Sequence, residues 1–268
     1  MARIISTFTV TASDRISPTM QRVTFDVSDI APFAENPHTD AYVKLLFDTA
    51  DAATPAPDAA PTMRTYTVHS IDAEAGTLAI DFALHGDGDT PGIASAWAVD
   101  ARPGDIIDAR GPGGAYSPDP AAAHHLICGD ATAIPAIAAA VRALPADATA
   151  DVVVEAPDYA DVDLIPNHPG ASITHVTPAH GPDAAPGDAL VEMTTAIVGK
   201  LASRPTHDPA GIQVFVHGEA HAVMKRIRPM LKDAGIPVRG ASISGYWRVG
   251  RTEEGFRTWK KENRPADD

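Results

Sequence analysis

The run Arg-Thr-Tyr-Thr-Val-His at 64–69 has the residue types to do chemistry in a short span. Thr, Tyr and Val favour strands. A two-residue period puts Arg64, Tyr66 and Val68 on one face and Thr65, Thr67 and His69 on the other. A guanidinium can take a phosphate through two parallel hydrogen bonds. A phenol ring two residues on can lie against a flat heterocycle such as an isoalloxazine. The Thr67 hydroxyl or amide can reach a ring nitrogen. Together these groups form a compact flavin clamp wherever the strand edge is open. The plain alternative is a half-buried strand with a surface Arg.

Glycine turns extend the pattern. HLICGDATAIPAIAAAVRAL carries a buried strand into Gly129 and Asp130 and then into a helix. Asp130 or Thr132 can cap that helix, and Pro135 falls in its first turn, where a missing N–H costs nothing. Gly129 lets a ligand approach the backbone closely. Free amides at a helix start, at the carboxyl end of a strand, suit a dinucleotide pyrophosphate. The spacing is not GxGxxG, so a Rossmann dehydrogenase of that type is not supported. IQVFVHGE at 212–219 repeats the arrangement with Gly218 and Glu219. Two such turns can meet at the edge where open α/β sheets bind ligands. Glu155 ends another apolar strand and can accept hydrogen bonds from a ribose. Five acids and no base lie between positions 151 and 163. That tilts towards NADH, since a 2′-phosphate calls for a nearby Arg.

Other stretches carry weaker signals. Gly92 and a helix start follow a strand ending near His85, and could hold a flavin pyrophosphate that Arg64 neutralises. His85 itself reads as a structural polar residue. Tyr246, Trp247 and Arg248 could cover a flat cofactor and anchor an anion. TEEGFRTWKKE after them reads as an amphipathic helix with Phe256 and Trp259 buried.

The elements that must position these groups fall into two sets. Alternating patterns at 3–10, 21–27, 41–47, 64–69, 77–85 and 104–110, with a turn-rich connection at 14–19 and a loop at 48–62, predict six strands. With one short helix at 93–99, they read as an antiparallel six-stranded β-barrel over residues 1–117. The Gly- and Pro-rich stretch at 111–121 marks the boundary. Beyond it the period changes. Strands at 124–128, 151–156, 172–176, 212–216 and 241–246 alternate with helices at 132–144, 188–203 and 219–234. That is an α/β doubly wound parallel sheet over residues 118–268.

Composition limits the class. The 268 residues are 44% hydrophobic, enough for a real core. One cysteine, Cys128, excludes an internal disulfide and fits a reducing cytoplasm. The opening residues do not read as a signal peptide, and no stretch is long and apolar enough to span a bilayer. The net charge of −14 argues against nucleic acid and anionic membranes as partners. From position 225 onward, however, eleven basic residues face six acidic ones, while residues 1–224 carry ten basic and twenty-nine acidic, a charge of −19. A basic end on an acidic chain is either a local anion site or a solvated tail.

With these pieces in order, the chain resembles the siderophore-interacting proteins, flavin-dependent ferric-siderophore reductases related to ferredoxin reductases. The resemblance spans nearly the whole length and rests on YVKLLF, RTYTVH, DFALHG, IASAWA, GDATAIPAIA, FVHGEA and SGYWRVGR. It implies a two-domain ferredoxin-reductase-like fold, FAD as cofactor, and NADH or NADPH as electron donor. It implies that Arg64, Thr65, Tyr66, Thr67, Asp81, His85, Gly92, Ala94, Ser95, Tyr246 and Trp247 hold FAD. Gly129, Asp130, Thr132, Ala133, Glu155, Gly218 and Glu219 would hold the nicotinamide nucleotide. Lys44 and Arg248 would bind an anionic ferric siderophore of catecholate type, with Arg142 as a guess at a third basic contact. No side chain would act as a nucleophile and no metal would be resident; the working unit would be a cytoplasmic monomer. The chain departs from the family pattern at Ala139-Ala140, where an Arg is usual, at Gly92-Ile93-Ala94, where Gly-Pro-Ala is usual, and at His69, which replaces a common Arg. Two rivals remain open: a general flavin or ferredoxin-type reductase serving a protein or free flavin, and a siderophore-binding protein without catalysis.

Overall fold

The structure is a computed structural model that describes residues 5–47, 61–84, 86–87, 90–203, 208–251 and 255. Most of the loop at 48–62, His85, Phe256 and Trp259 lie outside the described residues. The chain divides into two compact units, Met1–Ala115 and Tyr116–Asp268.

The first unit is a closed barrel. Its strands are β1 (Ile5–Ser17), β2 (Met20–Val27), β3 (Tyr42–Phe47), β4 (Thr62–Asp72), β5 (Thr77–Ala83) and β8 (Ile106–Gly113), in spatial order β1-β2-β5-β4-β3-β8. All neighbouring pairs are antiparallel. A two-residue ladder joins β6 (Gly86–Asp87) to β7 (Thr90–Pro91). Alternation sends Phe8, Phe25, Val43, Leu45, Ile80 and Phe82 into one core. Truncating any one of these phenylalanines to Ala would cost about 3–5 kcal/mol. The short helix α1 (Ala31–Ala34) contributes Phe33 to that core. Helix α2 (Ile93–Asp100) packs Ala94 and Ala98 against it, and Trp97 stacks on Phe25 with ring centres 6.2 Å apart.

The connection expected at 14–19 is mostly strand. β1 continues past one register shift to pair Asp14 with Arg22 and Arg15 with Gln21, and past a second to pair Ser17 with Met20, so the reversal uses only Pro18 and Thr19. The bulges let polar residues continue the ladder while facing outward, which hides the strand from a strict two-residue count.

The second unit is a five-stranded parallel sheet. Its strands are β9 (His124–Asp130), β10 (Ala150–Glu155), β11 (Ala171–Val176), β12 (Ile212–Glu219) and β13 (Ser242–Trp247), in order β11-β10-β9-β12-β13. Helix α3 (Ile134–Arg142) follows a 3₁₀ turn at Ala131–Ala133 and buries every side chain from Ile134 to Val141. The short α4 (Tyr159–Val162) follows β10. Helix α5 (Asp188–Ala202) buries Leu190, Ile197, Val198 and Leu201 in a cluster with Val214, Val216, Val223, Ile227 and Leu231. The single helix expected over 219–234 is instead a π-helical turn, Ala222–Ile227, followed by α6 (Arg228–Asp233). Pro229 accounts for the break, because it cannot donate the backbone hydrogen bond that a continuous α-helix needs there. No helix among the described residues is long and apolar enough to cross a membrane.

Because the sheet is parallel, all five strands finish on one edge, at Asp130, Glu155, Val176, Glu219 and Trp247. Three of those five end residues are carboxylates.

Candidate functional sites on the two units

On the barrel, β4 pairs with β3 so that Arg64 opposes Leu45, Tyr66 opposes Val43, and Thr65 opposes Lys44. Arg64 and Tyr66 therefore lie in the row that turns towards the core, and Thr65 and Lys44 in the outer row. Tyr66 is half-buried with its ring centre 4.3 Å from that of Phe82. Arg64 Nη1 donates to the Met63 carbonyl at 3.0 Å. Thr65 is exposed, and Thr67 is buried. Helix α2 starts at Gly92 with no side-chain cap. A guanidinium, a half-buried phenol, an exposed hydroxyl and an uncapped helix start, all on one barrel, fit the needs of a flavin dinucleotide: a phosphate partner, a ring platform and backbone donors.

Three barrel expectations need correction. Asp81 is buried, at 4% exposure, and already engaged: Arg22 Nε and Nη2 donate to its two oxygens at 2.6 and 2.8 Å, and His69 Nδ1 lies 3.0 Å from Oδ2. Burial alone would raise this carboxyl, but the hydrogen bonds and charges of Arg22 and His69 outweigh it and hold it below the ordinary carboxylate value. Asp81 is a structural ion-pair member, not an open contact for phosphate or ribityl groups. Ala94 and Ser95 are also buried, and the Ser95 hydroxyl donates to the Ala83 carbonyl at 3.4 Å. What α2 can offer a ligand is backbone at its start, not these side chains.

The edge of the parallel sheet is built differently from expectation. Glu155, 5% exposed, accepts from the amides of Gly187 and Leu190, both at 3.0 Å, and so caps α5 from a distance. Both carboxylate oxygens are committed, and the expected ribose contact is corrected to a structural cap. Asp130 Oδ1 accepts from the Thr132 amide at 3.0 Å and the Thr132 hydroxyl at 2.5 Å; Oδ2 accepts from the Trp247 indole N–H at 2.8 Å. Glu219 Oε2 accepts from the amides of His221 and Ala222 at 2.7 and 2.9 Å, and its Oε1 accepts from Arg248 Nη1 at 2.7 Å. The amides after Gly129 and Gly218, the two turns expected to cradle an anion, are thus answered by buried carboxylates of the chain itself, as are those at the start of α5. Desolvation pushes the Asp130 and Glu155 carboxyls up, against the lowering effect of their hydrogen bonds.

The glycines of this edge face protein. A Cβ on Gly129 would sit 2.7 Å from the Ala133 Cβ and 2.7 Å from the His217 carbonyl oxygen. Gly218, at φ +150°, would place a Cβ 2.6 Å from Asp130 Oδ2. Their lack of a side chain lets strand, turn and carboxylate pack together.

Tyr246 meets the His217 ring edge-on, with centres 4.7 Å apart. Trp247 is held by Asp130, and Arg248 by Glu219. Arg248, expected to anchor an anion, is one half of an ion pair with Glu219. Arg142 is exposed in the last turn of α3, at the opposite end of that helix from the strand edge. The Asp130–Trp247 and Glu219–Arg248 links were not legible in the sequence. Their signal was only that two strands end in acids and a third in an aromatic followed by Arg.

Comparison with known proteins bears on both units. A family model described as a siderophore-interacting FAD-binding domain matches residues 9–116, and one described as siderophore-interacting protein matches residues 122–250. An uncharacterized protein of Mycobacterium tuberculosis is 39% identical over 99% of this chain and 98% of its own length. A ferric vibriobactin reductase of Vibrio cholerae is 28% identical over 90% of this chain and 88% of its own. The solved structure of a siderophore utilization protein from T. fusca is 31% identical, with TM-score 0.72 over 94% of this chain and 95% of that one. The fold alone is shared with the cytochrome b5 reductase domain of an Ulva prolifera nitrate reductase, at 14% identity and TM-score 0.65.

Proposed function

Since the chain belongs to the siderophore-interacting protein family, with its ferredoxin-reductase-like fold, we propose that it reduces Fe(III) held by a siderophore, using FAD, so that Fe(II) is released. The observation that carries this reading is the match of both units, in order, to the two halves of that family. The vibriobactin reductase relative supports the reaction class. FAD, when bound, supplies the step from a two-electron donor to one-electron transfers.

This chain's own residues supply position and charge. Arg64 is the candidate partner for a flavin phosphate, the start of α2 supplies amides, and Tyr66 is the candidate platform for the ring. Lys44 and Arg248 are the candidate contacts for the anionic chelate, Arg248 with its charge shared with Glu219. Trp247 is held in one orientation by Asp130. The expected substrate is a ferric catecholate, the expected working unit a monomer, and the expected setting the reducing cytoplasm, where a lone buried cysteine is at home.

The donor is NADH or NADPH in this reading, with an adjustment. The capped helix starts fit a tightly held pyrophosphate poorly, so the dinucleotide would be a weak and rapidly exchanging visitor. That same feature favours a second reading of the donor: a reduced carrier protein.

An absorbance spectrum of the purified protein with FAD tests the proposal. Bound yellow flavin should bleach with donor under anaerobic conditions and recover on adding a ferric catecholate, with Fe(II) appearing in a ferrous trap. A protein that binds no FAD would support the non-catalytic siderophore binder instead. Turnover with free flavin and none with iron chelates would support a general flavin reductase. Bleaching by a reduced ferredoxin-type protein but not by NADH or NADPH would select the second donor.

A further inference from the structure

The other edge of the parallel sheet, where the strands begin, holds a buried imidazole that the proposed reaction does not use. His125 is the second residue of β9 and is 1% exposed. Among the described residues, neither of its ring nitrogens has a hydrogen-bond partner. Buried polar atoms are nearly always satisfied, so two orphaned nitrogens on one ring are exceptional.

The register shows what lies over this ring. Gln213 of β12 stands directly beside His125 in the ladder, and Phe215 follows on the same face. Both hold the segment 116–121, the first residues of the second unit, against the sheet. Gln213 Oε1 accepts from the Asp119 amide at 2.8 Å and the Tyr116 hydroxyl at 3.5 Å, and its Nε2 donates to the Ser117 carbonyl at 3.0 Å. The Tyr116 ring, buried, packs on Phe215 with centres 4.8 Å apart. One uncharged amide and one ring contact thus fasten this strap beside His125.

The ionisable groups around the ring come from several elements. The strap brings Asp119, whose carboxylate accepts from the Ala121 amide at 2.9 Å. β9 itself brings His124, on the other face, bound to Thr149 and to Asp151 of β10. The loop before β11 brings His168, whose ring nitrogens meet the Pro145 carbonyl and the Gly170 amide. The connection from α3 to β10 carries Arg142 and Asp147, both exposed. Burial holds the His125 imidazole below its ordinary value. His124 and His168 act in the same sense, and Gln213 and Asp119 act against them without cancelling the effect.

We propose that residues 116–121 form a pH-operated strap: proton uptake at His125 releases it from the strand starts, and proton loss lets it close. Closed, an imidazolium would find Gln213 Oε1 already taken by two donors. Opened, water solvates it. The sign follows from linkage. The open form binds the proton better, so the closed form is fully favoured above about pH 6.5, the ordinary imidazole value, and loses ground as pH falls below it. One proton limits the effect to about tenfold per pH unit. Because the strap begins the second unit, its release lengthens the chain that joins that unit to the barrel.

The test follows amide hydrogen exchange at Asp119 in the FAD-loaded full chain, corrected for the intrinsic effect of pH. Opening there should rise several-fold, to about tenfold at most, between pH 7.5 and 5.5, while the Ile127 amide in the middle of β9 stays protected. His125→Phe cannot take up a proton and should hold the opening flat over the same range. Gln213→Leu removes the hydrogen bonds of the strap but keeps the imidazole. It should open the strap at pH 7.5 and move the His125 titration, read from its ring-proton NMR shift, up towards the ordinary value, as reciprocal coupling requires. Exchange at Asp119 that ignores pH, an unchanged slope in His125→Phe, an unmoved His125 titration in Gln213→Leu, or core amides opening in step with the strap would each overturn the proposal.

Discussion

Asp81 links three neighbouring strands of the barrel: its own β5, β2 through Arg22, and β4 through His69. Replacing it leaves a partly buried guanidinium without its anion, a change of the kind that costs about 3–5 kcal/mol for buried pairs. Asp81→Asn should therefore lower Tm markedly at pH 7, with a smaller effect on FAD affinity; a large FAD effect at unchanged Tm would restore the ligand role. The pH dependence has a definite sign. The Asp81 carboxyl is held below its ordinary value, so the unfolded chain binds more protons through that window. Its contribution is present above about pH 4 and lost as pH falls further. The variant should show a shallower loss of stability below pH 4, read from urea midpoints. His69 is part of this cluster, which gives a structural use to a position where the family commonly has Arg.

At the scale of elements, the strand edge is a set of carboxylates stopping helix starts. Glu155→Ala would leave the Gly187 and Leu190 amides without their acceptor. Stability should fall by about 2 kcal/mol or more, while the KM for NADH should stay within about twofold. A ribose contact would give the reverse: an unchanged Tm and a raised KM. Gly218→Ala should also destabilise, by about 1–3 kcal/mol, because φ +150° is strained for an L side chain and the added Cβ would strike Asp130 Oδ2. Since Asp130 holds the Trp247 indole, this variant should also alter the near-ultraviolet circular dichroism.

At the scale of the molecule, charge is distributed with consequences for the donor. Positions 143–199 contain nine acidic residues and no Lys or Arg, and that stretch includes β10 and β11, where open sheets of this order receive the adenosine half of a dinucleotide. That stretch supplies no Lys or Arg of its own for a 2′-phosphate, and the guanidinium the fold brings to it, Arg226, is paired with Asp188, so kcat/KM should favour NADH over NADPH by about tenfold or more. Comparable values for the two donors would refute this. The one thiol is inert: Cys128 is fully buried, and desolvation pushes it up to about 12. Native protein should not react with a thiol reagent at pH 8, and one equivalent should react on unfolding.

The sequence by itself determined the elements and their grouping. Two-residue alternation marked the six barrel strands, and continuous apolar runs between helices marked the parallel sheet, because burial on one face or both leaves a direct trace in residue order. Motif order pointed to the family in the same way. Only the tertiary structure decided what the polar residues at the strand ends do. Glu155 meets amides 32 and 35 positions away, and Asp130 meets an indole 117 positions away. A carboxylate written at the end of a strand looks the same whether it waits for a ribose or already caps a helix. The difference lies in which donors the fold brings to it, and local sequence carries no record of partners so distant along the chain.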